Sequence, residues 1–279
     1  MQPARSVLFL PASNPRAIAK ARALPCDVAI LDLEDAVAPE AKAEARAAAV
    51  EAVKAGGFGP RAGVRINGLD TPWGEADLAA LGGTGVGLIV APKVEDAAAV
   101  RGLAGMLPAG AALWAMIETP GALLELPAIA RAASGAPLEA LMLGVNDLAV
   151  GLGTGPSADR EPLKPWLAAT VAAARAHGLL AIDGVFNDFG DVTGLATECA
   201  QARAYGFDGK SLIHPSQVEP ANAAFSPTPE ETARARAIVD AFAAPEAAGK
   251  GAIRVGDRML ERLHLAAAER LLARLDPGR

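Results

Sequence analysis

Short runs of Val, Ile and Leu alternate along the chain with longer alanine-rich stretches whose apolar positions recur at helical spacing. The apolar runs predict strands over 7–10, 28–31, 63–66, 87–90, 112–117, 140–143, 179–182 and 211–213. Helical stretches separate most of them, at 14–23, 39–55, 121–133, 163–177 and 191–205. Eight strand–helix alternations within about 225 residues are what a (β/α)8 TIM barrel requires. A doubly wound open sheet shares the alternation, because periodicity does not show whether a sheet closes. Strand count and length favour the barrel.

The pattern changes at "FSPTPEE", a proline-punctuated break with a helix start at Thr228. Beyond it come a helix over 229–242, a glycine-containing turn "PEAAGKGAIRVGDRM", and an amphipathic helix over 260–275. The expected organisation is therefore a catalytic barrel over 1–225 and a C-terminal helical appendage over 226–279. About fifty residues are too few for an independent core, so the appendage is expected to pack on the barrel or on a neighbouring subunit.

Composition narrows the class. Lys and Arg number 26 against 32 Asp and Glu, a net charge of −6, which does not favour nucleic acid or an anionic membrane. Cys26 and Cys199 lie far apart and in no CxxC spacing, which argues against a disulfide framework or zinc site and for reduced cytosol. No apolar run is long enough for a membrane helix, and the N-terminus lacks a signal peptide's apolar region. A soluble, cytoplasmic protein is expected.

In a barrel, polar residues just past the C-terminal strand ends converge on one mouth. Those positions hold Asp32, Glu34 and Asp35, then Arg65 and Asn67, Lys93, Glu118, Asn146 and Asp147, Asp183 and His214. Acids outnumber cations there. Carboxylates with no cysteine and little histidine suit a hard cation such as Mg²⁺, which takes one or two of them plus substrate and water. Each acid alone is more often a helix cap or ion-pair partner than a ligand; their convergence is what favours a site. Competing motifs are weak: "GLGTG" lacks dinucleotide-loop spacing, no Walker lysine or GxSxG occurs, and His177, His214 and His264 form no metal spacing.

Ordered blocks along nearly the whole chain carry a resemblance: "DVAILDLEDAVAPEAKAEAR", "VRIN", "APKVED", "AMIETPGALL", "LGVNDLAVGLG", "AIDGVFNDFGD" and "GFDGKSLIHPSQVEPANAAFSPTPEE". The sequence resembles the citrate lyase beta-subunit-like proteins of the HpcH/HpaI aldolase (CoA-ester lyase) family. The resemblance implies that Glu118 and Asp147 bind Mg²⁺ and that Arg65, with Glu118, contacts substrate. It places Glu34 and Asp35 behind them, holding metal-bound water and orienting Arg65, while Asp32 caps or packs at the strand end. Arg16 and Lys20, one turn apart, are candidates to meet CoA phosphates, although an exposed helix face is the simpler reading.

The implied chemistry is carbon–carbon cleavage, or its reversal, of a malyl- or citramalyl-type 3-hydroxyacyl-CoA, giving acetyl-CoA and a 2-keto acid. A homo-oligomer, trimer or hexamer, is expected. Relatives acting on CoA esters supply an acid from the C-terminal segment of an adjacent subunit, as aspartate in a "MID"-like block; here the block reads Met259-Leu260-Glu261, so Glu261 is the catalytic candidate, one methylene longer. Two further departures are "PAS" at 11–13 and "GTGPSADREPLKPW" at 153–166, the latter expected to shape substrate choice. Alternatives are a citryl thioester lyase subunit working with an acyl-carrier protein, a malyl-CoA thioesterase, and a keto-acid or CoA-binding protein with weak catalysis.

Overall fold

Eight of the apolar runs become strands buried on both faces, as strands between a barrel interior and a ring of helices must be. They are β1 (Ser6–Pro11), β2 (Val28–Asp32), β3 (Arg61–Arg65), β4 (Leu88–Ala91), β5 (Ala112–Ile117), β6 (Leu138–Leu143), β7 (Leu180–Asp183) and β8 (Gly209–Leu212). The sheet is closed, all its neighbours are parallel, and β1 pairs with both β2 and β8. Closure settles the architecture as a TIM barrel and excludes the open sheet. The computed structural model describes residues 4–155, 157, 159–255, 257–273 and 275.

Alternate side chains build two cores. Val7, Val28, Ile30, Val90, Trp114, Met116, Met142 and Ile182 fill the barrel interior. Leu8, Leu31, Val64, Ile89, Leu113, Leu141 and Leu212 face the helices instead. Gly63 keeps the interior within volume: a Cβ there would stand 2.9 Å from Ile30 Cδ1 and Leu88 Cγ.

The helix expected over 121–133 is two, Pro120–Leu124 and Leu126–Arg131. Pro127 explains the break, since its ring has no N–H for the carbonyl one turn back and collides with it. The first-helix reading holds as Pro15–Ala21, capped by the Asn14 side chain on Ala17 N–H.

A second unit comprises the residues from Ser226 onward. Thr228 starts the helix Pro229–Ala243 with a reciprocal cap: Glu231 N–H donates to Thr228 Oγ1 at 3.1 Å, and Thr228 N–H to Glu231 Oε2 at 2.8 Å. The stretch expected to be a turn instead contains an antiparallel hairpin, β9 (Ala252–Val255) and β10 (Arg258–Glu261). Ladder pairing of Leu260 with Ile253 takes Leu260 and Glu261 into β10, so the last helix starts at Arg262 and runs Arg262–Ala273 rather than 260–275. It packs on the helix Pro229–Ala243, with the Arg262 guanidinium 5.5 Å from the Phe242 ring centre. Residues 1–3 and 276–279 of the two expected segments, and Arg274 of the expected helix, lie outside the described residues. Among the described residues no helix is long and apolar enough to cross a membrane.

Candidate active site

The C-terminal strand ends open into a cavity of about 390 Å³, walled by Phe9, Asp32, Asp35, Arg65, Met116, Glu118, Asn146, Asp147, Ser211 and Ile213 among others. Arg65 ends β3 in register with Asp32 of β2, and both side chains turn inward. The guanidinium is forked on Asp32, with Nε 2.6 Å from Oδ1 and Nη2 2.6 Å from Oδ2. Its Nη1 lies 2.9 Å from Glu34 Oε2 and 3.2 Å from Asp35 Oδ2, and its carbon sits 5.1 Å from the Phe9 ring centre. Burial works against the Arg65 charge, but the hydrogen bonds and field of Asp32, with Glu34 and Asp35, outweigh it and raise its pKa. The guanidinium is therefore a fixed cation on one wall.

The loop that carries those acids is fastened from beneath. Asp32 accepts N–H bonds from Glu34 at 2.9 Å and Ala36 at 3.1 Å, turning the chain off the strand end. Lys42, at the start of the helix Lys42–Ala55, is buried and donates Nζ to the carbonyls of Leu33 and Glu34 at 2.7 Å each. Burial lowers the Lys42 pKa against the raising fields of Asp32, Glu34, Asp35 and Asp77.

Glu118 follows β5, two strands round the mouth from Arg65, and is 3% exposed. Its Oε1 accepts the Lys93 backbone N–H at 2.7 Å. Lys93 Nζ donates to Glu34 Oε1 at 3.0 Å, so one residue touches both acids. Burial lifts the Glu118 pKa to about 7, aided by the charge of Glu34 and then opposed by the Lys93 N–H and Arg65; Asp147 raises it further. Burial also raises Glu34, opposed chiefly by Arg65. Asp147 lies in the first turn of the helix Val145–Leu152, where the N-terminal dipole favours an anion.

The mouth and the loop that edges it thus hold five carboxylates, Asp32, Glu34, Asp35, Glu118 and Asp147, against three cations, Arg65 and Lys93 beside the acids and Lys42 under the loop. Glu118 and Asp147 are in no ion pair among the described residues, and Glu118 is lifted by burial and by other acids. That excess of two charges, on oxygen donors that repel each other, fits one divalent hard cation. Among the described residues no three His, Cys, Asp or Glu side chains form a metal cluster, so the pair leaves other coordination positions to substrate and water.

Five of the expected residues, Glu34, Asp35, Arg65, Glu118 and Asp147, do come together. Others do not. Asp183 is fully buried away from the mouth, where it accepts Lys210 Nζ at 2.7 Å and Arg160 Nη1 at 2.8 Å. Its strand neighbours Leu180 and Ile182 already face the interior, so alternation sends Asp183 outward. Asn67 is also turned away, donating both N–H groups to Asp77 Oδ2 at 2.9 and 2.6 Å. His214 is exposed, stacked on Phe189 at 4.7 Å, and its Nδ1 accepts Ser216 N–H at 3.2 Å. Arg16 and Lys20 are exposed on the first helix and do not line the cavity. Glu261 ends β10 of the second unit, exposed, with its N–H donated to His264 Nδ1 at 2.9 Å. Asp32 does more than cap: its fork makes it the principal partner of Arg65, a role expected of Glu34 and Asp35. The signal available was parity, because Asp32 lies two residues from Ile30, which faces the interior.

A family model described as HpcH/HpaI aldolase/citrate lyase matches residues 5–215. The chain belongs to that family. A second model, a C–C bond lyase of the TIM-barrel fold, matches residues 157–276. The expected family is therefore the observed one, and the protein is an enzyme of the CoA-ester lyase family. A (3S)-malyl-CoA thioesterase of Cereibacter sphaeroides is 43% identical over 98% of this chain and 95% of its own. An L-malyl-CoA/beta-methylmalyl-CoA lyase of the same organism is 35% identical over 96% and 93%. The CitE protein of Mycobacterium tuberculosis, solved with magnesium, acetoacetate and coenzyme A, superposes with a TM-score of 0.80 at 35% identity, over 98% of this chain and 97% of that one.

Proposed function

We propose that the protein is a Mg²⁺-dependent thioesterase acting on a malyl-type 3-hydroxyacyl-CoA. The observation that carries this reading is the convergence on one cavity of a caged Arg65 and of the carboxylates Glu118 and Asp147, which are in no ion pair among the described residues. Such a combination of a held cation and free carboxylates suits an acyl group that carries both a hydroxyl and a free carboxylate. Similarity over almost the whole length is greater to the thioesterase, 43%, than to the lyase, 35%.

Glu118 and Asp147 are the residues that would hold the cation. When bound, Mg²⁺ supplies Lewis acidity and a fixed orientation for the hydroxy-acid end of the substrate. Arg65 neutralises charge on the substrate carboxylate or on the thioester carbonyl oxygen as it becomes an oxyanion. Asp32 keeps the guanidinium in place, because two forked hydrogen bonds leave it one orientation. Glu34 and Asp35 hold its Nη1 from the same loop. In hydrolysis water adds to the thioester carbon, the carbon–sulfur bond breaks, and malate and the CoA thiol leave.

Carbon–carbon cleavage is the second reading, favoured by the C–C bond lyase model over residues 157–276. It needs a proton delivered to the departing acetyl carbon, for which Glu261 is the candidate acid. The test is purified protein with (3S)-malyl-CoA, with and without Mg²⁺, assayed in parallel for free thiol and for glyoxylate. Mg²⁺-dependent thiol release without glyoxylate supports the thioesterase; glyoxylate with acetyl-CoA supports the lyase instead. Absence of both products rejects the malyl-type substrate.

A further inference from the structure

Lys93 has φ of 48°, and Arg160 is the only other non-glycine residue with positive φ among the described residues. A lysine in the left-handed region carries a steric cost that glycine avoids and asparagine tolerates better. Strain of this kind persists where the surroundings demand it. Here it follows β4 and aims the Lys93 N–H at Glu118 Oε1, 2.7 Å away, while the next N–H, of Val94, reaches the Met116 carbonyl at 3.2 Å. On the other side of Glu118 lies Gly144. A Cβ added there would overlap Glu118 Oε2 and stand 2.5 Å from Glu118 Cβ. The Lys93 side chain has a separate task, on Glu34.

We propose that Lys93 is a positioning residue whose left-handed backbone, together with Gly144, clamps Glu118 so that it offers a single oxygen, Oε2, to a divalent cation, and so raises the preference for Mg²⁺ relative to Ca²⁺. The inference rests on the reading of Glu118 as a metal ligand. Its physical basis is coordination habit. Mg²⁺ holds six ligands in near-ideal octahedral geometry and usually keeps several waters, whereas Ca²⁺ takes six to eight and readily accepts both oxygens of one carboxylate. Oε1, already accepting a backbone N–H, has one lone pair and less charge left for a cation, so Oε2 is the stronger donor of the two.

The test is calorimetric titration of the metal-free protein with Mg²⁺ and with Ca²⁺, in the wild type and in Lys93→Gly, Lys93→Asn and Lys93→Val, each checked for native circular dichroism. Glycine and asparagine accept the left-handed backbone but remove the ammonium; valine resists that backbone. The ratio of Ca²⁺ to Mg²⁺ dissociation constants is expected to stay within about twofold of wild type in the first two. In Lys93→Val it should fall by roughly tenfold, the equivalent of losing one strained, over-determined contact. A ratio unchanged in Lys93→Val, or equally reduced in Lys93→Gly, overturns the clamp. Glu118→Gln is the control for the underlying reading: if it binds Mg²⁺ as tightly as wild type, Glu118 is no ligand and the inference falls with that reading.

Discussion

Replacing Glu118 by glutamine removes an acid whose pKa rises from an ordinary 4.5 to about 7 on folding. The folded protein therefore holds this proton more tightly than the unfolded chain, so between about pH 4.5 and 7 unfolding releases it. Stability of the metal-free protein is favoured by Glu118 below that window and declines as pH rises through it. A rise of about two and a half pKa units corresponds to about 3 kcal/mol, an upper figure for a group this buried. Glutamine is neutral throughout and its carbonyl oxygen still accepts the Lys93 N–H, so the variant should gain on wild type by up to about 3 kcal/mol between pH 5 and 8. At about 2–4 °C per kcal/mol, the gap in Tm should widen by roughly 6–12 °C. Trp73, Trp114 and Trp166 all lie in the barrel unit, so their fluorescence in chelator-containing buffers follows its unfolding. Added Mg²⁺ should raise the Tm of wild type and leave the variant unmoved. Parallel Tm curves for the two proteins across pH 5–8 would refute the conclusion that burial and neighbouring acids lift Glu118.

Arg65→Lys loses the fork on Asp32 and should lower kcat/KM by on the order of 10²-fold or more with an unchanged circular dichroism spectrum, measured by steady-state thiol release. Asp147→Asn should abolish most Mg²⁺ binding in calorimetry while thermal stability stays level or rises; a loss of several kcal/mol would mark Asp147 as structural. Lys42→Met strands the Leu33 and Glu34 carbonyls and should cost about 1–3 kcal/mol in urea unfolding, with a higher KM as the acid loop loosens around Arg65.

The barrel was legible because its strands are apolar on both faces and its helices are not, so one periodicity gives way to the other at each boundary. The five mouth residues were legible because each lies at or just past a strand end. Asp183 and Asn67 were not: proximity to a strand end says nothing of which way a side chain turns. Asp183 has the outward parity, and Asn67, of inward parity, is captured by Asp77 on the helix Gly74–Leu81. The hairpin β9–β10 was hidden by glycines that read as a turn. The Lys93 backbone and the Lys42 ammonium carry no local signature, since their partners lie on segments distant or folded back in space.

The central claim is that this mouth hydrolyses a malyl-type thioester. Incubation with (3S)-malyl-CoA and Mg²⁺ in ¹⁸O-water, followed by mass spectrometry of the acids formed, tests it most directly. Malate carrying one ¹⁸O in the carboxylate released from sulfur is the predicted product. Acetyl-CoA and glyoxylate in place of labelled malate would contradict it.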